Sequence, residues 1–274
     1  MKTKRFLSFI IIAATLLLTL CFGVSAEHYN IDGYEIPVDI VINGCIIKTP
    51  VNAFLENDTT YVPVRAISEA MGAVVSWNDE VKTATVSKGE NSIDFPIGEE
   101  GGAILYLDTT FIPVRAVSEK LGYEVSWDGD YYQVNITAPD ITIPEEKIDY
   151  TYTNDEILLI AKVLKCECGS STFEGKLAVA NVIINRVKSD QFPDTVEEVI
   201  YDRRYGSVQF SIAYNGKLDK AEPNKECYLA AKCALDGADV ATDCLFFQAD
   251  YVKDSWMDKN RERAISVGGN TFFY

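Results

Sequence analysis

Glu167 lies where a predicted apolar helix approaches its end, and a carboxylate is costly in that setting. Apolar residues precede it at helical spacing, at Ile157, Ile160, Ala161 and Leu164. Glu167 continues this face, where desolvation and the negative end of the helix dipole would both raise its pKa. A carboxyl that stays protonated near neutral pH can act as a general acid. The alternative is that the helix ends earlier and Glu167 is solvated, and the pattern favours neither.

Histidine is absent from the region around Glu167, since the only histidine of the chain is His28. This excludes Ser-His-Asp triads, Cys-His pairs and the HExxH zinc site from that region, and it leaves Cys166 without a base. We interpret the cysteines as buried apolar residues or as one or two disulfides, because their spacing does not match zinc sites. We therefore expect no metal and no cofactor. The cysteines after position 26 are Cys45, Cys166, Cys168, Cys227, Cys233 and Cys244.

A second predicted helix follows Glu167 after a short Gly/Ser break. Ser171 and Glu174 form a capping-box pattern at its start, so the acid has a structural explanation, although it stays a candidate substrate contact. Asn181 and Asn185 share one face of an otherwise apolar segment. Buried amides must be hydrogen-bonded, so these two either brace the fold or line a cleft beside Glu167.

The chain divides into a leader and two domains of a predicted α+β protein. A capping-box pattern predicts a helix that begins near Thr153. A short helix begins at Asp194 or Thr195, and a later one ends before Gly237. A strand over residues 244–248 and a hairpin at Gly268-Gly269 follow. The predicted boundaries are a signal peptide over 1–26, an N-terminal domain over 27–137, a semi-extended linker over 138–151 and a mainly helical C-terminal domain over 152–274.

Residues 59–80 and 109–130 form an internal repeat, with 12 of 22 positions identical at an offset of 50. Each unit predicts a strand, a proline in the first helical turn, a short helix, a glycine C-cap and a strand that ends at a tryptophan. The recurring VPVRA…G…VSW pattern resembles the copper amine oxidase N-terminal-like domain, over about residues 36–137. The resemblance implies a non-catalytic stalk or wall-associating module of secreted Gram-positive proteins.

Four side chains of the repeat have two interpretations each. Arg65 and Arg115 could contact a ligand, but i,i+4 pairing with Glu69 and Glu119 is favoured. The two tryptophans that end the strands could stack on sugars, but packing within the repeat is favoured. These are Trp77 and Trp127.

The predicted signal peptide and the negative net charge limit where the protein acts and what it binds. Three basic residues, an apolar stretch and Val24-Ser25-Ala26 form a secretory signal peptide, and its apolar part is short for a membrane span. Its removal leaves 22 basic and 41 acidic side chains, a net charge of −19. That charge argues against nucleic acid as a partner. The sequence predicts a secreted protein of the cell wall or spore envelope, without a membrane span after cleavage, and says nothing about oligomeric state.

The C-terminal domain resembles the SleB-type cell wall hydrolases, which include spore-cortex-lytic enzymes. The resemblance covers about residues 154–274 and rests on the run LLIAKVLKCECGSSTFEG, its continuation VANVIINRVKSDQFPDTVEEVIY, the triplet Gln209-Phe210-Ser211, and the segments CLFFQ and GGNTFFY. It implies a compact lysozyme-like domain with a small sheet and peptidoglycan glycan strands as substrate. It also implies Glu167 as the acid/base and the Gln209 triplet near the substrate.

Glu167 has no partner acid in an equally constrained setting. A hydrolytic pair would hold two carboxyls about 5 to 9.5 Å apart, whereas the other acids of the domain lie in loop-like contexts. A lytic transglycosylase needs a single acid/base, so we expect cleavage of the MurNAc-GlcNAc bond by that route, with a muramidase less favoured. The alternative is a non-catalytic peptidoglycan-binding wall protein with a degenerate hydrolase domain.

Overall fold

The computed structural model describes residues 30–99, 101–204 and 208–274. The predicted signal peptide and His28 lie outside the described residues. Within the described part of the chain, no helix combines the length and apolar character that a membrane crossing requires.

The N-terminal region is rich in short strands. Its first strands are β1 (Asn30–Ile31), β2 (Tyr34–Glu35), β3 (Asp39–Ile42) and β4 (Cys45–Ile46). The first repeat contains β5 (Phe54–Glu56), β6 (Thr59–Pro63), helix α1 (Val64–Ala70), β7 (Val74–Asn78) and β8 (Thr83–Lys88), followed by β9 (Asn91–Pro96). The second contains β10 (Ile104–Tyr106), β11 (Thr109–Pro113), helix α2 (Val114–Lys120), β12 (Glu124–Asp128) and β13 (Gln133–Thr137).

The two repeats meet at equivalent strands. β6 pairs antiparallel with β11, and Val62 stands opposite Ile112, its counterpart fifty residues later. A local twofold axis therefore passes between these residues and builds one sheet in the order β10-β11-β6-β5. Each repeat has the predicted order of elements. Gly72 and Gly122 follow the helices with φ of +71° and +91°, a conformation that glycine adopts without penalty.

Strand β3 precedes the first repeat in the sequence but pairs with a strand of the second repeat. β9 pairs antiparallel with β8 in the sheet β7-β8-β9, whereas β3 pairs parallel with β13 in the sheet β12-β13-β3-β4. The start of the described chain thus completes the sheet of the second repeat. Asp39 stands opposite Gln133 in this register, and both are buried.

The segment predicted as a semi-extended linker is bound to the N-terminal region. A short 3-10 turn spans Glu145–Lys147, and the backbone on either side pairs with β4 and its extension. Lys48 N–H donates to the Lys147 carbonyl at 2.8 Å, and Asp149 N–H donates to Ile46 at 2.8 Å. The Lys147 ammonium also pairs with Glu69 at 2.7 Å.

The C-terminal region is mainly helical with a small sheet, and the α+β class expected from the sequence is confirmed. Its helices are α3 (Asn154–Cys168), α4 (Phe173–Lys188), α5 (Val196–Ile200), α6 (Lys225–Leu235) and α7 (Trp256–Asn260). Its strands are β14 (Phe246–Ala249), β15 (Arg263–Val267) and β16 (Asn270–Phe273), paired in the order β14-β16-β15. Helices α3 and α4 both pack on α6, and their apolar faces form the core.

The starts of the two long helices differ from each other. Thr153 and Glu156 form the capping box predicted for α3, each side chain bonding the other's backbone. The predicted box at α4 is wrong. Thr172 is the N-cap and accepts from Gly175 N–H, while the Ser171 hydroxyl donates to the Gly268 carbonyl at 2.7 Å. The Ser171 hydroxyl, which the pattern predicted to cap α4, is instead bonded to the hairpin residue Gly268.

Two glycines make this contact between the hairpin and α4 possible. A Cβ added at Gly175 would lie 2.7 Å from the Gly268 Cα, and one added at Gly268 would lie 2.5 Å from the Gly175 Cα. Neither position therefore has room for a larger residue without a backbone shift.

A buried ion pair joins the two regions. Lys232 of α6 is fully buried, and its ammonium lies 2.9 Å from Asp39 of β3. The ammonium also donates to the carbonyls of Tyr131 and Tyr132 at 3.0 Å each, and the Tyr152 hydroxyl donates to Asp39 at 3.1 Å. Burial lowers the pKa of Lys232 and raises that of Asp39. Each charge is thus stabilised against desolvation by the other charge and by neutral partners.

Two aromatic contacts also join the two regions. The rings of Tyr131 and Tyr228 lie 5.0 Å apart, and those of Tyr34 and Phe173 lie 6.0 Å apart. The Cys233 thiol also approaches the Glu35 carbonyl at 3.7 Å. The helical region therefore rests on the repeat region through both polar and apolar contacts.

Lys232→Met should destabilise the whole chain, because it leaves the Asp39 charge buried without its partner. The expected loss is about 3–5 kcal/mol in the free energy of unfolding, measured by denaturant titration. The double variant Asp39→Asn/Lys232→Met removes both charges and should recover a large part of that loss. Additive losses in the double variant would contradict the pairing.

Gly175→Ala should also destabilise the chain, by about 1–3 kcal/mol, because the new methyl group overlaps the Gly268 backbone. Helix propensity alone predicts the opposite sign, a gain of up to about 1 kcal/mol. The sign of the change in thermal or denaturant unfolding therefore decides between close packing and an open helix surface at this position.

Candidate active site

Glu167 lies in the last turn of α3, which ends at Cys168 with Gly169 as its C-cap. The helix thus extends through this position, but the buried face runs through Leu164 and Cys168 while Glu167 is exposed. The expectation of an apolar-face position is therefore wrong. Solvent reaches the side chain, yet the surrounding protein atoms displace enough water to raise the pKa of the carboxyl by desolvation. The direction of the pKa shift is the expected one.

Lys217 provides the opposing charge. Its ammonium lowers the pKa of Glu167, although less than desolvation raises it. The loop that carries Lys217 is held against the end of α3, where the Cys166 thiol lies 3.8 Å from the Lys217 carbonyl. A cavity of about 520 Å³ opens between this loop and α3. Its lining includes Lys165, Cys166, Lys217, Lys220 and Glu222.

The backbone after Glu167 is fixed from two sides. The buried Lys176 ammonium donates to the Ser171 carbonyl and pairs with Glu226 at 2.9 Å, and the Ser171 hydroxyl is held by the hairpin. Helix α4, helix α6 and the β15–β16 turn thus converge on the segment that joins α3 to α4. These contacts hold the backbone that immediately follows Glu167 in place.

Three other acids of the C-terminal region are engaged elsewhere. Asp236, whose pKa is raised to about 6, lies close to Asp39 at the interface between the two regions. Asp202 is buried and pairs with Arg204 at 3.1 Å. Asp258, with its pKa lowered to about 2, is held by Gln248, Ser255 and Arg263. None of these three is described in contact with Glu167.

Asn181 and Asn185 brace the fold. The Asn181 amide donates to the Ala238 carbonyl at 2.7 Å and accepts from Val240 N–H at 2.8 Å. Asn185 donates to the carbonyls of Ala241 and Cys244. Of the two roles open from the sequence, these contacts support bracing. Through these contacts the two amides hold the loop before β14, and their role as substrate contacts stays a prediction.

The remaining candidates separate by burial. Phe210 is buried against the Arg186 guanidinium, 5.2 Å from its ring centre, so its assignment as a substrate contact is corrected to core packing. Gln209 is half-buried, and its backbone N–H donates a hydrogen bond to the Asp202 carbonyl at 3.3 Å. Ser211 is exposed and Glu174 is half-buried in the first turn of α4. Gln209, Ser211 and Glu174 stay predictions.

Lys217 was missed by sequence reasoning. It lies fifty residues after Glu167 in a loop, and neither its type nor its spacing marks it. The buried Arg186 was missed as well. Its guanidinium is surrounded by Phe192, Phe210 and Phe246, and burial lowers its pKa to about 10. Its place in the apolar run of α4 could have indicated a buried cation.

The cysteines are all free thiols in the described residues. Cys168, Cys227, Cys233 and Cys244 are buried, and burial raises the pKa of Cys166 as well. A raised pKa disfavours the thiolate, which is the reactive form of cysteine. This agrees with the interpretation of these residues as packing.

Residues 170–274 match the family model described as Cell Wall Hydrolase. The C-terminal region is a cell wall hydrolase domain. The match begins three residues after Glu167, so it covers α4 and everything that follows but not the candidate acid. Residues 41–104 and 101–161 each match the model described as Copper amine oxidase N-terminal domain, which makes the repeat region a domain of that kind.

Curated relatives of the cell wall hydrolase domain share one description. The spore cortex-lytic enzyme of Oceanobacillus iheyensis is 32% identical over 136 residues, which cover 49% of this chain and 45% of that protein. The spore cortex-lytic enzyme of Bacillus cereus is 30% identical over 140 residues, covering 50% and 52%. The chain thus spans about half the length of the curated relatives it matches.

Solved structures give the same kind of similarity. The catalytic domain of the germination-specific lytic transglycosylase SleB from Bacillus anthracis is 27% identical, with 46% of this chain and 100% of that structure covered and a TM-score of 0.41. The catalytic domain of the Bacillus cereus SleB protein is 28% identical, with coverage of 46% and 94% and a TM-score of 0.41.

Lys217→Met should raise the pKa of Glu167, because the variant loses a positive charge that stabilises the carboxylate. The shift can be followed by NMR titration of glutamate carboxyl carbons, with Glu167→Gln to assign the signal. Lys220→Met, a change of the same type in the same loop, should move that pKa less. A fall in the Glu167 pKa on loss of Lys217 would contradict the described geometry.

Proposed function

We propose that this protein is a secreted enzyme that degrades peptidoglycan by cleaving the MurNAc-GlcNAc bond as a lytic transglycosylase. The observation that carries the proposal is Glu167, a solvent-accessible carboxyl with a raised pKa at the end of α3. The cell wall hydrolase domain and the names of its relatives support peptidoglycan as the substrate. We place the enzyme in the cell wall or spore envelope.

The proposed reaction uses one carboxyl twice. Protonated Glu167 donates its proton to the glycosidic oxygen as the bond from MurNAc C1 to that oxygen breaks, and the GlcNAc unit leaves with a free 4-hydroxyl. The Glu167 carboxylate then removes the proton from the C6 hydroxyl of the same MurNAc, and O6 bonds to C1. The products carry a 1,6-anhydro end, no water is consumed, and Glu167 ends protonated as it began.

The electrostatics of the site suit both half-reactions. Desolvation favours the protonated resting state that the first proton transfer requires. Lys217 acts in the opposite sense and stabilises the carboxylate that forms between the two transfers. Since the acid must start protonated, activity should fall as the pH rises through the Glu167 pKa. The raised pKa therefore extends activity to higher pH than an ordinary carboxyl would allow.

A partner carboxyl for hydrolysis would have to stand near Glu167. The three acids with distinctive settings, Asp202, Asp236 and Asp258, are engaged with Arg204, the domain interface and the β14–α7 segment. These three acids are therefore not available as the second carboxyl of a hydrolytic pair, and the product analysis below decides whether Glu222, which lines the cavity beside α3, serves as one.

Glu167→Gln tests the assignment on purified sacculi. The amide keeps the shape of the side chain but has no acidic proton, so release of soluble fragments should fall by about 10²-fold or more. Glu262→Gln, the same change at an exposed glutamate before β15, is the matched control and should keep wild-type release. Full activity of Glu167→Gln with an intact fold by circular dichroism would sink the proposal.

Mass spectrometry of the wild-type products separates the two reactions on the same samples. Anhydro-muramic ends support the transglycosylase route, whereas reducing muramic ends would replace it with hydrolysis. Binding to sacculi by a wild-type protein that releases no fragments would instead indicate a degenerate, non-catalytic domain.

A further inference from the structure

Trp127 packs within the repeat on one side, as expected, and is partly exposed to solvent on the other. It lies on β12 opposite Val134 of β13, and 41% of its surface is accessible to solvent. Its indole meets the buried Tyr132 ring edge to face, with ring centres 4.9 Å apart and an interplanar angle of 80°. The contact holds the indole in one orientation and leaves an apolar ring surface toward solvent.

A pocket of about 420 Å³ opens beside this ring, at the junction of the two repeats. The first repeat supplies the β5–β6 hairpin and the second supplies the start of α2 and the strands β12 and β13. Half of the lining residues are polar, and they supply a carboxylate, a guanidinium and three hydroxyls. They belong to Asp58, Arg115, Thr59, Thr60 and Ser126.

Arg115 is fixed where it borders the pocket. Its guanidinium donates to the Val125 carbonyl at 3.1 Å and to Glu119 at 3.2 Å. The pairing with Glu119 agrees with the i,i+4 interpretation from the sequence, and it neutralises the local charge. The pocket therefore presents a balanced set of donors and acceptors rather than a net positive site for anions.

The first repeat shows what distinguishes this site. Trp77 is equally exposed, at 41%, but its indole N–H donates to Asp79 at 3.3 Å. The residue at the equivalent position of the second repeat is Gly129, and a Cβ there would stand 3.5 Å from the Trp127 Nε1. Among the described residues, none is found to accept a hydrogen bond from the Trp127 indole. In the first repeat the Trp77 indole N–H is thus bonded to Asp79. In the second repeat the Trp127 indole N–H is available to a ligand.

We infer that the Trp127 pocket binds a sugar ring of a β-1,4-linked N-acetylhexosamine strand. The C–H face of such a ring stacks on the exposed indole, its amide or hydroxyl oxygens accept from the indole N–H, and its hydroxyls pair with the polar lining. The volume suits a small ligand. The full chain carries a net charge of −16, which favours a neutral sugar over an anionic ligand. The site is separate from Glu167 and does not depend on the reaction proposed there.

Fluorescence of a single tryptophan tests the site directly, because the chain has three tryptophans. The full-length variant Trp77→Phe/Trp256→Phe keeps Trp127 alone, and Glu167→Gln is added to prevent cleavage. Titration with chitotetraose, which carries no peptide and no acid group, should shift or quench its emission to saturation. The matched variant Trp127→Phe/Trp256→Phe, which keeps Trp77 alone, should show no saturable change.

Gly129→Asp is the decisive substitution in the Trp127-only protein. It gives Trp127 the acceptor that Asp79 gives Trp77, and it should weaken chitotetraose binding by about tenfold without removing the ring. Gly129 has no positive φ to oppose the change. No saturable emission change at Trp127, or an affinity unaffected by Gly129→Asp, would overturn the inference. Either result leaves the sacculus test of Glu167 untouched.

Discussion

The buried ion pair between Asp39 and Lys232 is the constraint on which the arrangement of the two domains depends. A lysine ammonium without any exposed surface is stable only where its desolvation is offset by a charge and by neutral acceptors. Asp39 comes from the first long strand, the two carbonyls come from the turn before β13, and Lys232 comes from α6. The pair can therefore form only when the repeat region is complete and the helical domain is docked on it. The domain expected to be a non-catalytic stalk therefore contacts the helices directly.

The candidate acid illustrates how a site can be partly desolvated without being buried. Glu167 lies outside the apolar face of α3, which Leu164 and Cys168 occupy. The pKa of its carboxyl is nevertheless raised. A proton donor to a polymer needs this combination, because the carboxyl must be reachable and still protonated. The hairpin and Lys176 fix the backbone that follows it, and Lys217 moderates its charge. In the second repeat, the absence of a side chain at Gly129 leaves the Trp127 indole N–H without the acceptor that Asp79 gives Trp77.

Local patterns of the sequence predicted the fold well where neighbouring residues make the decisive contacts. The capping box of Thr153 and Glu156, the hairpin at Gly268-Gly269 and the helix ends at Gly72 and Gly122 follow from interactions across a few residues. The box predicted at Ser171 was wrong because a distant residue, Gly268, takes its hydroxyl. Asn181 and Asn185 could not be assigned from the sequence for the same reason, since their partners lie more than fifty residues away.

The sequence by itself determined the repeat, the α+β class, the apolar helix that leads toward Glu167 and the lack of histidine in the segments around it, because residue type and spacing decide these features. Only the tertiary structure decided that β3 crosses into the second repeat, that Lys232 is paired rather than exposed, and that Lys217 stands beside the acid. It also decided that the equivalent tryptophans of the two repeats differ in their N–H partners. Each of these depends on which distant side chains share one small volume, and the energies of burial and pairing are set there rather than along the chain.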